Sequence, residues 1–119
     1  MPSLTTLVGA ATAAWSAVLV GAPRVLITPC ALEDSPATRT LTRAVGARDI
    51  GLGLTMALAP GGTARRLAVA ARAVADLSDA AVFGTGPVSR RRQTVIAGSA
   101  AAWGALSVLA VVLDERAGR

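Results

Sequence analysis

The chain has 119 residues, is 53% hydrophobic and 3% aromatic, and carries twelve basic residues, all Arg, against seven acids, for a net charge of +5. That length allows a single domain, and with no His and one Cys the composition excludes an intrachain disulfide, zinc, haem and iron–sulfur centres, and any Ser-His or Cys-His nucleophile. The arginines sit scattered at the ends of apolar runs without interleaved aromatics, which excludes nucleic-acid binding and suits contact with anionic lipid headgroups.

From Leu4 to Ala22 no residue is charged, and Pro23 and Arg24 end the run. As a helix it is long enough to cross ~30 Å of hydrocarbon. Gly9, Ala13, Ala17 and Gly21 recur every fourth residue, so a side of small groups is expected to receive a neighbouring helix. The first turn lacks the basic residues of a signal peptide and further apolar runs follow it, which favours a retained span. The next stretch, 23–39, reads as a connector: it holds Pro23, Pro29 and Pro36, the acidic pair Glu33-Asp34, Ser35 as a turn or cap residue, and the lone Cys30 as a plain thiol. Its length suits a lid.

A second span is expected over 40–59, closed by Pro60-Gly61-Gly62, and a third over 65–83, before the turn Gly84-Thr85-Gly86-Pro87. On a helix, Arg65, Arg72, Asp76 and Asp79 share one narrow stripe of the third span, while Leu67, Val74 and Ala81 lie on the opposite face. The fourth span, 93–113, is uncharged and lies between the triplet Arg90-Arg91-Arg92 and Asp114-Glu115-Arg116. Ala97, Ala101 and Ala105 with Gly98 and Gly104 give it a second small-residue surface. The expected fold is therefore all-α, a four-transmembrane-helix bundle forming one domain over 1–119, with spans 4–22, 40–59, 65–83 and 93–113. Arginines divide too evenly between the two sides for the positive-inside rule to set an orientation.

Charges within the second and third spans are the lead to function, because hydrocarbon penalises each by at least ~2.5 kcal/mol unless it is paired or faces a wet cavity. They are Arg48, Asp49, Arg72, Asp76 and Asp79, two cations against three anions. In one shared pocket this set is net negative when fully ionised, and keeping one carboxyl protonated is the cheapest remedy. Asp76, Asp79 and Asp49 are thus candidate catalytic acids or bases, with Asp76 and Asp79, one turn apart, the pair best suited to split into acid and carboxylate. Arg48 and Arg72 are candidate substrate-binding residues. Trp15 and Trp103 join them, since both lie near mid-span rather than at the interface and can wall the same pocket. The competing reading makes Arg48–Asp76 and Arg72–Asp49 ion pairs that only hold the register of the helices.

Gly46-Ala47-Arg48-Asp49 with Gly51-Leu52-Gly53, followed by Arg72-x3-Asp76-x2-Asp79-Ala80, resembles a motif of small bacterial four-helix integral membrane proteins. The likeness covers about residues 5–113. It implies the fold and a location in the bacterial cytoplasmic membrane, brings no activity with it, and marks the Arg-Asp dipeptide and the paired aspartates as a shared site. Small bacterial multidrug exporters have a similar length and span count, but their acidic residue stands in the first span, where this chain has none. Two functions are expected from different classes. One is a cofactor-independent membrane enzyme that uses Asp as general acid or base on a lipophilic polyketide- or terpenoid-like molecule, in a cyclisation, isomerisation or epoxide opening. The other is a non-enzymatic carrier or accessory subunit built on a buried Arg-Asp network. No metal is expected; the expected partners are membrane lipids and a lipophilic small molecule, with homo-oligomer formation left open.

Overall fold

The computed structural model describes residues 1–86 and 88–119. Every regular element among them is helical: α1 (Leu4–Gly21), a short α2 (Arg24–Ile27), α3 (Pro36–Leu58), α4 (Thr63–Gly84) and α5 (Arg90–Arg116). The four long helices overlie the four apolar runs, and they differ from the expected spans at their ends. α3 begins four residues before position 40, because the Ser35 side chain accepts a hydrogen bond from the Thr38 amide at 3.1 Å and Pro36 fits the first turn. α5 takes in the arginine triplet behind Ser89, whose side chain caps it. The connector after α1 is interrupted by the single turn of α2. Pro87, assigned to the turn after the third span, lies outside the described residues.

The bundle is built from two tight antiparallel pairs, α1 with α3 and α4 with α5, which meet each other over much smaller contacts. Glycine sets the first pair. A Cβ on Gly9 or on Gly53 would lie 2.6 Å from the other's carbonyl oxygen, and one on Gly46 would lie 2.9 Å from the Ser16 carbonyl, so no larger residue fits this backbone approach. Of the expected Gly9-Ala13-Ala17-Gly21 side, however, only Gly9 is buried, and Ala17 and Gly21 face outward. A strict step of four residues drifts by about 40° per turn on a helix of 100° per residue. The buried face of α1 instead steps by fours and threes through Thr5, Gly9, Thr12, Ser16 and Leu19.

One half of the bundle is plugged. Met56, Ala68, Val69 and Val111 form its core, with Val8, Ala59 and Val112 against them. Asp114, fully buried, closes that end by accepting from the Leu4 amide at 2.9 Å, the Thr5 amide at 2.8 Å and the Thr5 hydroxyl at 2.7 Å. Burial alone would raise its carboxyl, but these bonds to the first turn of α1, with Arg119 at 3.6 Å, hold it below the ordinary value. Arg65 is drawn to this half rather than to the aspartates of its stripe, donating to the Arg119 carbonyl at 2.9 Å.

The distribution of side chains is inverted relative to a water-soluble domain. Large apolar residues point outward from every long helix, including Leu41, Leu54 and Leu58 on α3 and Leu67, Val74, Leu77 and Val82 on α4. The interior holds Thr5, Thr12, Ser16, Thr42, Asp49, Arg72, Asp76, Ser107 and Asp114. Among the described residues, α1 and α5 are each long and apolar enough to cross a membrane.

Candidate functional site

The second half of the bundle, towards α2, holds a partly open cavity of about 530 Å³ between the two helix pairs. Its wall is mostly apolar, with Leu19, Val45, Phe83 and Ile96 among its residues, and the connector supplies Val25, Leu26, Pro29 and Cys30 at one end. The segment expected as a lid thus lines the cavity. Burial pushes the Cys30 thiol up, with Arg92 pulling weakly the other way, so it stays a neutral wall element. Outside the cavity Asp34 ties the connector down through Arg39 Nε at 2.6 Å and Arg24 Nε at 2.9 Å, and the Arg39 hydrogen bond foremost holds its carboxyl below the ordinary range.

Where α3 crosses α4, the five charged residues form one alternating chain. Arg48 grips Asp79 with both terminal nitrogens, Nη1 to Oδ1 at 3.2 Å and Nη2 to Oδ2 at 2.8 Å, and its Nε donates to Asp49 Oδ1 at 2.8 Å. Arg72 Nη1 stands 3.2 Å from the same Asp49 oxygen, and Arg72 donates through Nε and Nη2 to the two oxygens of Asp76, Nε at 3.0 Å. The order is Asp79, Arg48, Asp49, Arg72, Asp76. The expected partner of Arg48 was Asp76; the structure pairs it with Asp79, because Asp76 lies one turn deeper in the bundle and is closed off by Arg72 at i−4. Asp49–Arg72 is the interhelical contact that was expected.

The chain is graded in exposure. Asp76 is 1% exposed, Arg72 6% and Asp49 7%, whereas the side chain of Asp79 is 23% exposed and that of Arg48 38%. Of the seven side chains singled out from sequence, Asp49, Arg72, Asp76, Asp79, Trp15 and Trp103 line the cavity. Arg48 does not; it braces Asp79 and Asp49 from outside the lining. Trp103 is fixed by donating from Nε1 to the Thr12 hydroxyl at 2.9 Å, which itself donates to the Val8 carbonyl at 2.9 Å, while Trp15 is half exposed.

Hydrogen-bond accounting separates the aspartates. Both oxygens of Asp76 and both of Asp79 are held by arginine nitrogens. Asp49 spends only Oδ1, and among the described residues its Oδ2 takes no hydrogen bond. Two further polar atoms of the lining are buried without partners: Ser16 Oγ, and Arg72 Nη1, whose approach to Asp49 has the distance but not the angle of a hydrogen bond. No group of three His, Cys, Asp or Glu side chains among the described residues could hold a metal ion.

Sequence reasoning passed over Ser16 and gave Gly104 only a place in a small-residue packing surface, not beside the charge chain. A Cβ on Gly104 would lie 3.1 Å from Asp76 Cβ and 3.4 Å from its Oδ2, so this glycine on α5 makes room for the innermost carboxylate. Ser16 was legible as a hydroxyl in step with Thr5, Gly9 and Thr12 on an otherwise apolar helix. Comparison of the chain with protein-family models, curated proteins and solved structures finds no match.

Proposed function

We propose that the chain is a four-span integral membrane enzyme that binds a lipophilic molecule between its helix pairs and moves a proton on it with an aspartate. The outward Leu and Val of α3 and α4 support counting both as spans beside α1 and α5, because Asp49, Arg72 and Asp76 turn inward and the more exposed Arg48 and Asp79 pair with each other. At 23 and 22 residues, these helices reach about 34 and 33 Å, enough to cross the hydrocarbon. The likeness of the Arg48-Asp49 segment to small bacterial four-helix membrane proteins accords with a place in the bacterial cytoplasmic membrane.

The observation that carries the reading is the meeting of a mostly apolar cavity with the alternating charge chain. A lipophile seated there has three carboxylates and a guanidinium in its wall. Asp49, with one oxygen uncommitted, is the group that touches the substrate as acid or base; Asp76 and Asp79 act through the arginines that they orient. Isomerisation, cyclisation and epoxide opening all need such a proton transfer and no redox partner.

Native mass spectrometry of the protein taken from membranes identifies the bound lipophile, and turnover of that compound tests the role. Asp49→Asn is expected to lower turnover by about 10²–10⁴-fold while binding persists, with smaller losses for the Asn variants at Asp76 and Asp79. Full activity in all three, or the absence of any lipophile, would return the cluster to the second reading, a carrier or accessory subunit. That reading draws on the mutual satisfaction of Asp76, Asp79 and their arginines.

A further inference from the structure

The cavity combines two unusual features. Ser16 is 1% exposed and Arg72 6%, both line the same space, and each keeps a polar atom there without a partner. A buried donor left unmade costs free energy, and most native buried donors are satisfied. In a transmembrane helix a serine hydroxyl ordinarily bonds the carbonyl one turn back, as Ser78, Ser99 and Ser107 do here to Val74, Val95 and Trp103. Ser16 does not. The unsatisfied pair comes from different helices, α1 and α4, on the two sides of the space between the helix pairs.

We infer that Arg72 Nη1 and the Ser16 hydroxyl form a two-donor site for an acceptor oxygen of the lipophile, and that the substrate class is a lipophilic carbonyl compound. The inference rests on the reading of the cavity as a substrate pocket and deepens it. A carbonyl oxygen offers two lone pairs and no proton, so one atom satisfies both donors. Arg72 is held for this task by Asp76 through Nε and Nη2, which leaves Nη1, 3.2 Å from Asp49 Oδ1, as the nitrogen without a hydrogen bond.

The chemistry then closes without a co-reactant. Asp49, as carboxylate, takes a proton from the carbon next to the carbonyl. The C–H electron pair becomes a C=C bond, and the carbonyl π pair moves onto the oxygen, where Arg72 and Ser16 hold the enolate. Return of the proton to the same carbon regenerates the ketone, and return to the far carbon of a conjugated enolate shifts the double bond.

The test uses the full chain in lipid nanodiscs, with 2-undecanone and undecane as matched probes. Trp15 and Trp103 are the chain's two tryptophans and both line the cavity, so tryptophan emission reports occupancy. The wild type is expected to bind the ketone at least about tenfold more tightly than the alkane, the worth of one good hydrogen bond. Ser16→Ala removes a hydroxyl that holds nothing in the fold, so it should leave the melting temperature unchanged and lower that preference several-fold, leaving the share that the charged Arg72 donor supplies; Asp49→Asn should keep the preference. Equal binding of the two probes, or a preference that Ser16→Ala does not move, overturns the inference. Exchange of the ketone's α-hydrogens for deuterium is followed in parallel and reads Asp49 separately. A ketone preference without wild-type exchange upholds the oxygen site and overturns the acid–base role.

Discussion

The two halves of this bundle solve the burial of a carboxylate in opposite ways. In the plugged half, Asp114 is enclosed by one apolar core and spends both oxygens on the first turn of α1, so its charge is neutralised by local backbone donors and nothing is left over. In the cavity half, Asp49 is also buried but belongs to a five-member chain in which Asp49 Oδ2 and Arg72 Nη1 remain without a hydrogen bond, with the unpartnered Ser16 Oγ in the same lining. The first arrangement is what structure alone requires. The second leaves an uncommitted carboxylate oxygen and two unpartnered buried atoms among residues that line the cavity, whereas the unpartnered buried atom of the plugged half, Arg65 Nε, belongs to no residue of that lining.

The largest break in this contrast is Arg72→Ala, which strands Asp76 and removes a neighbour of Asp49 in one step. It is expected to cost roughly 3–5 kcal/mol, since the partner charges stay buried, and thermal unfolding in detergent measures it. Asp76→Asn should be milder, because Arg72 keeps Asp49 at 3.2 Å and the cluster is left with as many anions as cations. In the plugged half, Asp114→Asn should cost about 2 kcal/mol, the worth of hydrogen bonds to a charged group. Its pH dependence has a definite sign. A carboxyl held below its ordinary value of about 3.9 stabilises the fold above that pH and loses the contribution as pH falls through the folded-state value. The wild-type advantage over Asp114→Asn is therefore expected to be full at neutral pH and to shrink below about pH 4. The smallest effect sharpens the comparison. Gly104→Ala should cost about 1 kcal/mol, yet it presses on Asp76 and so should shift ligand binding in the cavity half while leaving the plugged half intact.

The four apolar runs were legible because a helix needs only length and composition to announce itself, and the ends moved where caps such as Ser35 decide. The Arg–Asp cluster was legible because charge inside an apolar run demands a partner, and of the two expected pairs between α3 and α4, Asp49–Arg72 forms. The pairing of Arg48 with Asp79 in place of Asp76 was not legible. Arg48 reaches Asp79 because of the depth at which glycine lets α3 settle, and that depth is set by α1, a helix without a charge. For the same reason the every-fourth small residues of α1 misjudged its contact face by rotation, and the hydroxyls of Thr12 and Ser16 were passed over. Asp114 read as a flanking charge, since a carboxylate that caps another helix leaves no local signature.

Three carboxylates line the cavity, and among the described residues Asp49 keeps an oxygen free for a lipophile while both oxygens of Asp76, Asp79 and the distant Asp114 are held by donors. Dicyclohexylcarbodiimide, a lipophilic reagent that reacts with carboxyl groups reachable from an apolar phase, tests this directly when the protein in nanodiscs is labelled and the modified peptide is located by mass spectrometry. Modification is expected at Asp49, is abolished in Asp49→Asn, and is slowed by 2-undecanone. Modification that falls first on Asp76, Asp79 or Asp114, or that leaves Asp49 untouched, would contradict the account.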